Sequence, residues 1–209
     1  MASRPARKVA LVDLGIASFT PRDQVESGDL SVAQCNPDRA LLAAIDGIGH
    51  GKEAAEAARV AAATIESFVG DSLASLVQKC HEALRPTRGV VLSLALIDFQ
   101  QDTLTWLGIG NVQGVLIRSA NSEHTGNHAL LLRPGVVGSR LPLLQTATLP
   151  ISRGDTLAFA TDGIRGDFSE DLFPQEMPQR SADRILAKHC KGNDDALVFV
   201  ARFMAGGPG

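Results

Sequence analysis

The sequence predicts an α+β fold in which helices cover an antiparallel β-sandwich. Three observations lead to this fold. Short apolar, β-branched runs separated by turn residues fill most of the chain, as is typical of antiparallel strands. Two consecutive amphipathic segments interrupt these runs in the middle, and a third comes late. Strands grouped in this way favour helices over a sandwich rather than alternating βαβ units.

The first half of the chain predicts a strand, a hairpin and two helices. They are a strand at 9–17, a hairpin of strands at 30–33 and 40–45, a helix from Lys52 to about 69, and a helix through 73–84. The second hairpin strand is a continuous apolar run, which predicts burial on both faces. Asp71 or Ser72 can cap the second helix, and Arg85-Pro86 ends it.

The second half predicts mainly strands. The runs at 89–99, 103–109 and 112–118 are separated by short turns, which predicts sequential antiparallel pairing. The remaining elements are a short strand at 129–132, a glycine-bearing turn region at 134–142, a strand at 156–160, a helix through Ala182, Ile185 and Leu186, and a last buried strand at 196–200.

Length and charge limit the classes of function. The chain has 209 residues, and at ~150 residues per domain this is roughly 1.4 domains. We expect one domain over 1–209, with a frayed tail at about 205–209. Lys and Arg number 20 against 23 Asp and Glu, a formal net charge of −3. Because this leaves no excess of cations for a phosphate backbone or an anionic bilayer, we expect neither nucleic acid nor a membrane as partner.

The cysteines and the apolar runs predict a cytoplasmic location. Cys35, Cys80 and Cys190 are far apart and odd in number, which is typical of reduced, mostly buried thiols. Asp13 interrupts the first apolar run before a signal-peptide core is reached. The longest uncharged stretch, 103–117, contains polar residues and three glycines and is shorter than the ~18 apolar residues of a membrane span.

Aspartates stand beside three of the buried-looking strands. The motifs are Ile45-Asp46-Gly47, Thr161-Asp162-Gly163 and Asn193-Asp194-Asp195-Ala196. Buried carboxylates are costly unless a cation meets them, and no Lys or Arg lies inside these motifs. Oxygen ligands select Mg²⁺ or Mn²⁺, and glycine after aspartate lets a backbone carbonyl join them. Several carboxylates favour two ions, because ions about 3.5–4 Å apart need bridging anions.

Each motif taken alone has a second interpretation. Asp-Gly after a strand is an ordinary turn signal, and a single one is more often a turn than a ligand. Asp29, in Ser27-Gly28-Asp29, is a fourth candidate with the same alternative, either as a ligand or as an outer partner of the ligands. The combination of motifs favours a cation site.

Together the motifs resemble the metal-dependent protein phosphatases of the protein phosphatase 2C class, the PPM family. The segments that carry the resemblance are 27–29, 46–51, 161–163 and 192–198, with 107–112 and 153–157 matching structural strands. The resemblance is to the bacterial SpoIIE-like branch, and within it to the small RsbX-like phosphatases that reset stress-signalling complexes. It covers nearly the whole chain and implies a four-layer α-β-β-α sandwich of two antiparallel sheets flanked by helices.

The resemblance also implies a mechanism. Carried over by position, Asp46 bridges two Mn²⁺ or Mg²⁺ ions, the Gly47 carbonyl binds one of them, and Asp162 with Asp194 holds the other; Asp29 acts through metal-bound water. Asp46, Asp162 and Asp194 are then the catalytic residues of a hydrolysis in which a dimetal-activated water attacks phosphorus. The implied substrate is phosphoserine or phosphothreonine in a STAS-domain regulator of a stressosome-like complex. No sensor domain is expected, which makes the chain a bare catalytic unit.

The sequence departs from the family pattern at two places. Many eukaryotic relatives have a phosphate-binding arginine near the first strand and a histidine directly after Asp-Gly, whereas here Ile48 follows and His50 comes later. His50 is either a general acid or a residue in the first turn of the following helix. Asp167 and Asp195 are expected to be solvated or to lie outside the direct ligands. The remaining histidines are predicted to be surface or helix residues: His81, His124, His128 and His189.

Two other functions compete with the phosphatase. Asp46-Gly47-Ile48-Gly49 also fits the adenine-reading box of GHKL ATPases and anti-sigma serine kinases. That fold would need an asparagine-bearing helix before the box and a glycine-rich lid after it. The third hypothesis is a non-catalytic phosphatase-like module that only docks onto a partner, and the intact set of aspartates argues against it.

Overall fold

The computed structural model describes residues 11–22, 24–69 and 72–204. These residues form eleven strands, three α-helices and one short 3₁₀ helix. In chain order they are β1 (Val12–Phe19), β2 (Asp29–Cys35), β3 (Arg39–Gly47), α1 (Lys52–Glu66), α2 (Leu73–Leu84), β4 (Val90–Asp98), β5 (Thr103–Ile109), β6 (Gln113–Ile117), β7 (His128–Ala129), β8 (Leu132–Arg133), β9 (Ala147–Pro150), β10 (Thr156–Ala160), the 3₁₀ helix (Phe168–Asp171), α3 (Pro178–His189) and β11 (Ala196–Phe203).

The strands form two mostly antiparallel sheets. The first has the order β1-β11-β10-β6-β7, and the second has the order β2-β3-β4-β5-β8, with β9 also paired to β5. Helices α1 and α2 cover the second sheet, and α3 covers the first. This arrangement confirms the predicted α+β fold class, a four-layer α-β-β-α sandwich.

Successive side chains along β3 point to opposite faces of the sheet, so odd-numbered and even-numbered residues face different layers. The even-numbered residues from Ala40 to Ala44 lie between the two sheets, and the odd-numbered residues from Leu41 to Ile45 pack against α1 and α2. Asp46 continues the even-numbered series, so its side chain is on the face towards the opposite sheet.

The same alternation holds in β10 and β11. Phe159 and Phe199 lie between the sheets, whereas Ala160 and Val198 pack towards α3. The residue that follows Ala160 is Thr161, which therefore faces the second sheet. Burial on both faces explains why these short strands are continuous apolar runs.

The predicted helices are confirmed. Gly51, with a φ of 69°, precedes α1, and the Ser72 side chain accepts a hydrogen bond from the Ser75 N–H at the start of α2. The alternative cap, Asp71, lies outside the described residues, as do the first residues of the predicted β1 and the tail at 205–209. Within the described ranges, none of the helices has the length and apolarity that a bilayer crossing requires.

Sequential pairing of the three central runs is wrong for the third run. Strands β4 and β5 pair as predicted, but β6 joins β10 in the other sheet. The chain changes sheet at Gly110, which has a φ of 91° and lies so close to Val91 that a Cβ would be 2.1 Å from its Cγ1. The edge of β5 that this leaves is paired with β8 and β9 instead.

Two short segments also differ from the prediction. The expected strand at 129–132 is two separate pieces, because β7 pairs with β6 in one sheet and β8 with β5 in the other. Strand β9 was not predicted, since three of its four residues are exposed and it has no apolar face.

The cysteines are unpaired, and their predicted burial is correct for one of them only. Cys80 is on the buried face of α2, Cys190 is half-buried and Cys35 is exposed at the end of β2.

Candidate metal centre

The three predicted acidic motifs meet at one end of the sandwich. Asp46 is next to last in β3, Asp162 follows β10 closely and Asp194 precedes β11. Antiparallel pairing brings the end of β10 to the start of β11. A cleft of about 450 Å³ opens here, and its walls include Asp46, Ile48, His50, Asn111, Asp162 and Asp194.

Asp29 lies beside Asp46 because of the hairpin register. The two residues are direct cross-strand partners in β2 and β3, so their side chains share one face. The Thr161 hydroxyl, which comes from the other sheet, donates a hydrogen bond of 2.7 Å to Oδ2 of the buried Asp29. Asp29 therefore connects the two sheets through this hydrogen bond.

Asp195 is also drawn into the space between the sheets. The Gly28 N–H donates to its Oδ2 at 2.8 Å, and its own N–H donates to Oδ1 of Asp194 at 2.9 Å. The Asp195 side chain is buried, so the prediction that it is solvated is wrong. The other prediction, that Asp195 lies outside the direct ligands, remains.

Asp162 has two partners that the sequence reasoning did not identify. The Asn111 side-chain amide donates to Oδ2 of Asp162 at 2.8 Å, and the Lys191 ammonium group donates to the Asp162 backbone carbonyl. Asn111 was assigned only to a structural segment. The available signal was its Gly110-Asn111 turn, an irregular point between two apolar runs.

Burial and crowded negative charge perturb the carboxyl groups. Burial raises the pKa of Asp46 to about 8, and the charges of Asp29 and of the other three aspartates add to it. Burial likewise raises the pKa of Asp29 to about 7, against the opposing hydrogen bond from Thr161. A site whose carboxyl groups resist ionisation in this way gains most from a bound cation.

The donor set fits a hydrated hard cation. Among the described residues, no three Asp, Glu, His or Cys side chains are arranged to hold an ion by themselves. Mg²⁺ usually keeps several waters and takes only one or two carboxylates, so direct enclosure is not required. Oδ1 of Asp195 is buried without a hydrogen-bond partner in the described part of the chain, as expected where a cation or its water belongs.

Comparison with known proteins identifies the family. A model of the family described as Stage II sporulation protein E (SpoIIE) matches residues 36–204. The chain belongs to the SpoIIE family. The phosphoserine phosphatase RsbX of Bacillus subtilis (strain 168) is 24% identical over 173 residues, which are 83% of this chain and 85% of that protein.

Solved structures agree with this assignment. A structure from work on the bacterial stressosome as a modular system adapted to control secondary messenger signalling has a TM-score of 0.83 and 29% identity, covering 91% of this chain and 99% of the other. RsbX in complex with magnesium has a TM-score of 0.81 and 19% identity, covering 91% and 94%. The predicted family and the predicted enzyme class are confirmed: this SpoIIE-family member is a protein-serine/threonine phosphatase of a metal-dependent type.

The GHKL alternative is wrong. The residues before Asp46 form β3, a central strand of its sheet, where a GHKL fold would have an asparagine-bearing helix. The family match covers the same segment.

The histidines differ in part from their predicted positions. His50 is exposed in the loop before α1 and lines the cleft, so its placement in the first helical turn is wrong and the general-acid hypothesis stays open. His189 is the last residue of α3, as expected of a helix residue, but it is buried between Asp167 and Asp171, at 2.9 and 2.7 Å from its two ring nitrogens. Asp167 is exposed, as predicted.

Gly47, whose carbonyl is a predicted metal ligand, also has a role in packing. A Cβ at this position would lie 2.1 Å from the Ala54 carbonyl oxygen in the first turn of α1. We expect Gly47→Ala to lower the free energy of unfolding by about 3 kcal/mol or more, since the neighbour is backbone and cannot rotate away. Urea unfolding of the chelator-treated protein measures this.

Gly166→Ala is the matched control for that substitution. A Cβ there would meet only the end of the Gln113 side chain, 3.4 Å away, so we expect a change within about 0.5 kcal/mol. Equal stability of the two variants would contradict the close approach of α1 to Gly47.

Proposed function

We propose that residues 1–209 form a single phosphatase domain that removes phosphate from phosphoserine or phosphothreonine in a STAS-domain regulator of a stressosome-like complex. In this proposal Asp46, the Gly47 carbonyl, Asp162 and Asp194 hold two Mn²⁺ or Mg²⁺ ions, and Asp29 belongs to the same metal site, mostly through metal-bound water. One observation carries it: acidic residues far apart in the chain converge on one cleft, where the pKa of Asp29 and that of Asp46 are raised.

Each residue has a separate task in the proposed mechanism. Asp46 is the cross-strand neighbour of Asp29 and lies in the wall of the cleft, where it would hold the ions together with Asp162 and Asp194. Bound ions would neutralise charge on the phosphoryl oxygens and lower the pKa of the attacking water. Asn111 restrains the Asp162 carboxylate, so that its other oxygen stays directed away from the amide. No nucleophilic side chain is required.

His50 is our candidate proton donor for the leaving serine or threonine oxygen. It is the imidazole in the cleft wall, and its ring is exposed and therefore accessible to a bound phosphoprotein. A general acid must reach the leaving oxygen directly or through one water.

The substrate class is supported by the relatives. RsbX carries the name phosphoserine phosphatase, and a structure from stressosome work shares 29% of its sequence with this chain. From these similarities we infer that this protein acts on STAS-domain partners and that it acts in the cytoplasm. The unpaired cysteines agree with a reducing compartment.

The proposal is tested with the purified chain and a serine-phosphorylated STAS-domain protein. We expect phosphate release that requires Mn²⁺ or Mg²⁺ and falls at least 100-fold with excess chelator, because the proposed nucleophile is a water that the cations activate. Radiolabelled phosphate release measures it, with p-nitrophenyl phosphate as the substrate that needs no docking.

The outcomes separate the parts of the proposal. Release that is unaffected by the chelator would contradict the metal mechanism. Hydrolysis of p-nitrophenyl phosphate without dephosphorylation of the STAS protein would contradict the substrate only. Partner binding without any Mn²⁺-dependent hydrolysis would establish the non-catalytic module instead.

A further inference from the structure

Two side chains outside the proposed ligand set join β2 to the opposite sheet at the cleft. The Thr161 hydroxyl donates to Asp29, and Asp195 accepts from the Gly28 N–H. We refer to Thr161 and Asp195 as the inter-sheet clasp. Both are buried, Thr161 at 1% and Asp195 at 5% exposure.

The direction of the Thr161 hydrogen bonds is fixed by the backbone. The Leu197 N–H donates to Oγ1 of Thr161 at 2.8 Å, so the hydroxyl proton is directed to its other neighbour, Oδ2 of Asp29, at 2.7 Å. Oδ2 of Asp29 therefore accepts a hydrogen bond from Thr161, and Oδ1 of Asp29 remains available to the cation site. The hydroxyl thus sets the orientation of the Asp29 carboxylate.

Asp195 has a second oxygen whose partner is absent from the described protein atoms. Oδ2 accepts from Gly28, but Oδ1 is fully buried without a hydrogen bond. Leaving a buried acceptor unsatisfied costs about 1–3 kcal/mol, and more for a charged group. A donor outside the described protein atoms, such as a water molecule, would remove this cost.

We propose that Asp195 is a positioning residue of the cation site: Oδ2 fixes the start of β2, and Oδ1 accepts a hydrogen bond from water that hydrates the bound cations. Thr161 acts with it by orienting Asp29. This inference rests on the proposed function, since it assigns the clasp to the same cation site. Outer groups of this kind change metal affinity by 10–100-fold when they are removed.

The test is calorimetric titration of Mn²⁺ into chelator-treated, dialysed protein. Asp195→Asn keeps an oxygen that can accept from Gly28 but places an amide group at the position of Oδ1. We expect it to weaken Mn²⁺ binding about tenfold or more. Thr161→Val, which keeps the shape and loses the hydroxyl, is expected to weaken binding similarly, and Thr161→Ser is expected to restore it.

Asp155→Asn is the matched control at the far end of the sandwich. Asp155 is a buried carboxylate that pairs with Arg118 and accepts from the Ser119 N–H, at the start of β10 rather than its end. We expect this variant to unfold at a lower temperature while its Mn²⁺ affinity stays within about twofold of the wild type.

Wild-type Mn²⁺ affinity in Asp195→Asn would overturn the assignment of Oδ1 and reduce Asp195 to a fold contact. If Asp195→Asn does not fold by circular dichroism, the Thr161 variants decide: equal affinity in Thr161→Val and Thr161→Ser overturns the clasp. If the wild-type protein binds no Mn²⁺, both the proposed function and this inference are overturned. If the wild-type protein binds Mn²⁺ and the variants bind it equally well, only this inference is overturned.

Discussion

Replacing Asp46 by asparagine is expected to abolish phosphatase activity and to stabilise the metal-free protein. Activity falls because the proposed bridging carboxylate is lost. Stability rises because burial and four neighbouring carboxylates raise the pKa of Asp46 to about 8, which means that its ionised form is disfavoured in the folded state. For a chain of this length each 1 kcal/mol shifts the melting temperature by about 2–4 °C, and we expect an increase of about 3 °C or more at pH 8.

Two measurements on the same preparations check this. Hydrolysis of p-nitrophenyl phosphate at saturating Mn²⁺ gives the activity, and calorimetry in chelator gives the melting temperature. Asp183→Asn is the control, because Asp183 is exposed on α3, where it accepts a hydrogen bond from the Gln179 side chain. Near-wild-type activity in Asp46→Asn, or in Asp162→Asn, would remove the proposed mechanism. A lower melting temperature for Asp46→Asn would instead contradict the repulsion within the metal-free cluster.

The metal-free protein is expected to lose stability as the pH rises from about 5 to about 8.5. The folded-state pKa values are about 7 for Asp29 and about 8 for Asp46, whereas an unfolded aspartate titrates near 3.9. Between these values the folded protein holds protons that the unfolded chain has released, so the free energy of unfolding falls with pH. The fall should end above the folded-state pKa values, and we expect it to lower the melting temperature on the order of 5 °C.

Calorimetry in chelator at half-unit pH steps measures this dependence. Excess Mn²⁺ should reverse most of it, because a bound cation favours the ionised carboxylates. Asp167 and Asp171 do not contribute in this range: His189 holds the pKa of Asp167 below its usual value, and Lys188 with His189 does the same for Asp171. A melting temperature that rises with pH in chelator would contradict the raised pKa values of Asp29 and Asp46.

The features that the sequence predicted are those that local patterns determine. Apolar alternation and turn residues located β3, α1, α2 and α3, and the aspartates beside glycines located the ends of β3 and β10. The pairing of Asp29 with Asp46 follows from a hairpin with a short turn, which fixes register within a single segment of chain.

The features that the sequence did not predict depend on contacts between distant segments. Strand β6 has an ordinary strand pattern, and only the close approach of Gly110 to Val91 shows that the chain must leave its sheet there. Likewise, nothing near Thr161 indicates that its hydroxyl reaches Asp29, 132 positions earlier. Such hydrogen bonds are set by how two sheets dock, which a pattern of period two does not encode.

β11 lies between β1 and β10 in the first sheet, although it follows all the other described strands in chain order. During synthesis β1 emerges before β11, so the first sheet lacks the strand that joins β1 to β10 until β11 has been made. A nascent chain therefore carries Asp29 and Asp46 long before it carries Asp194, and the two groups of carboxylates come together only when the final strand inserts. We therefore expect the carboxylate cluster to be complete only after β11 has inserted between β1 and β10.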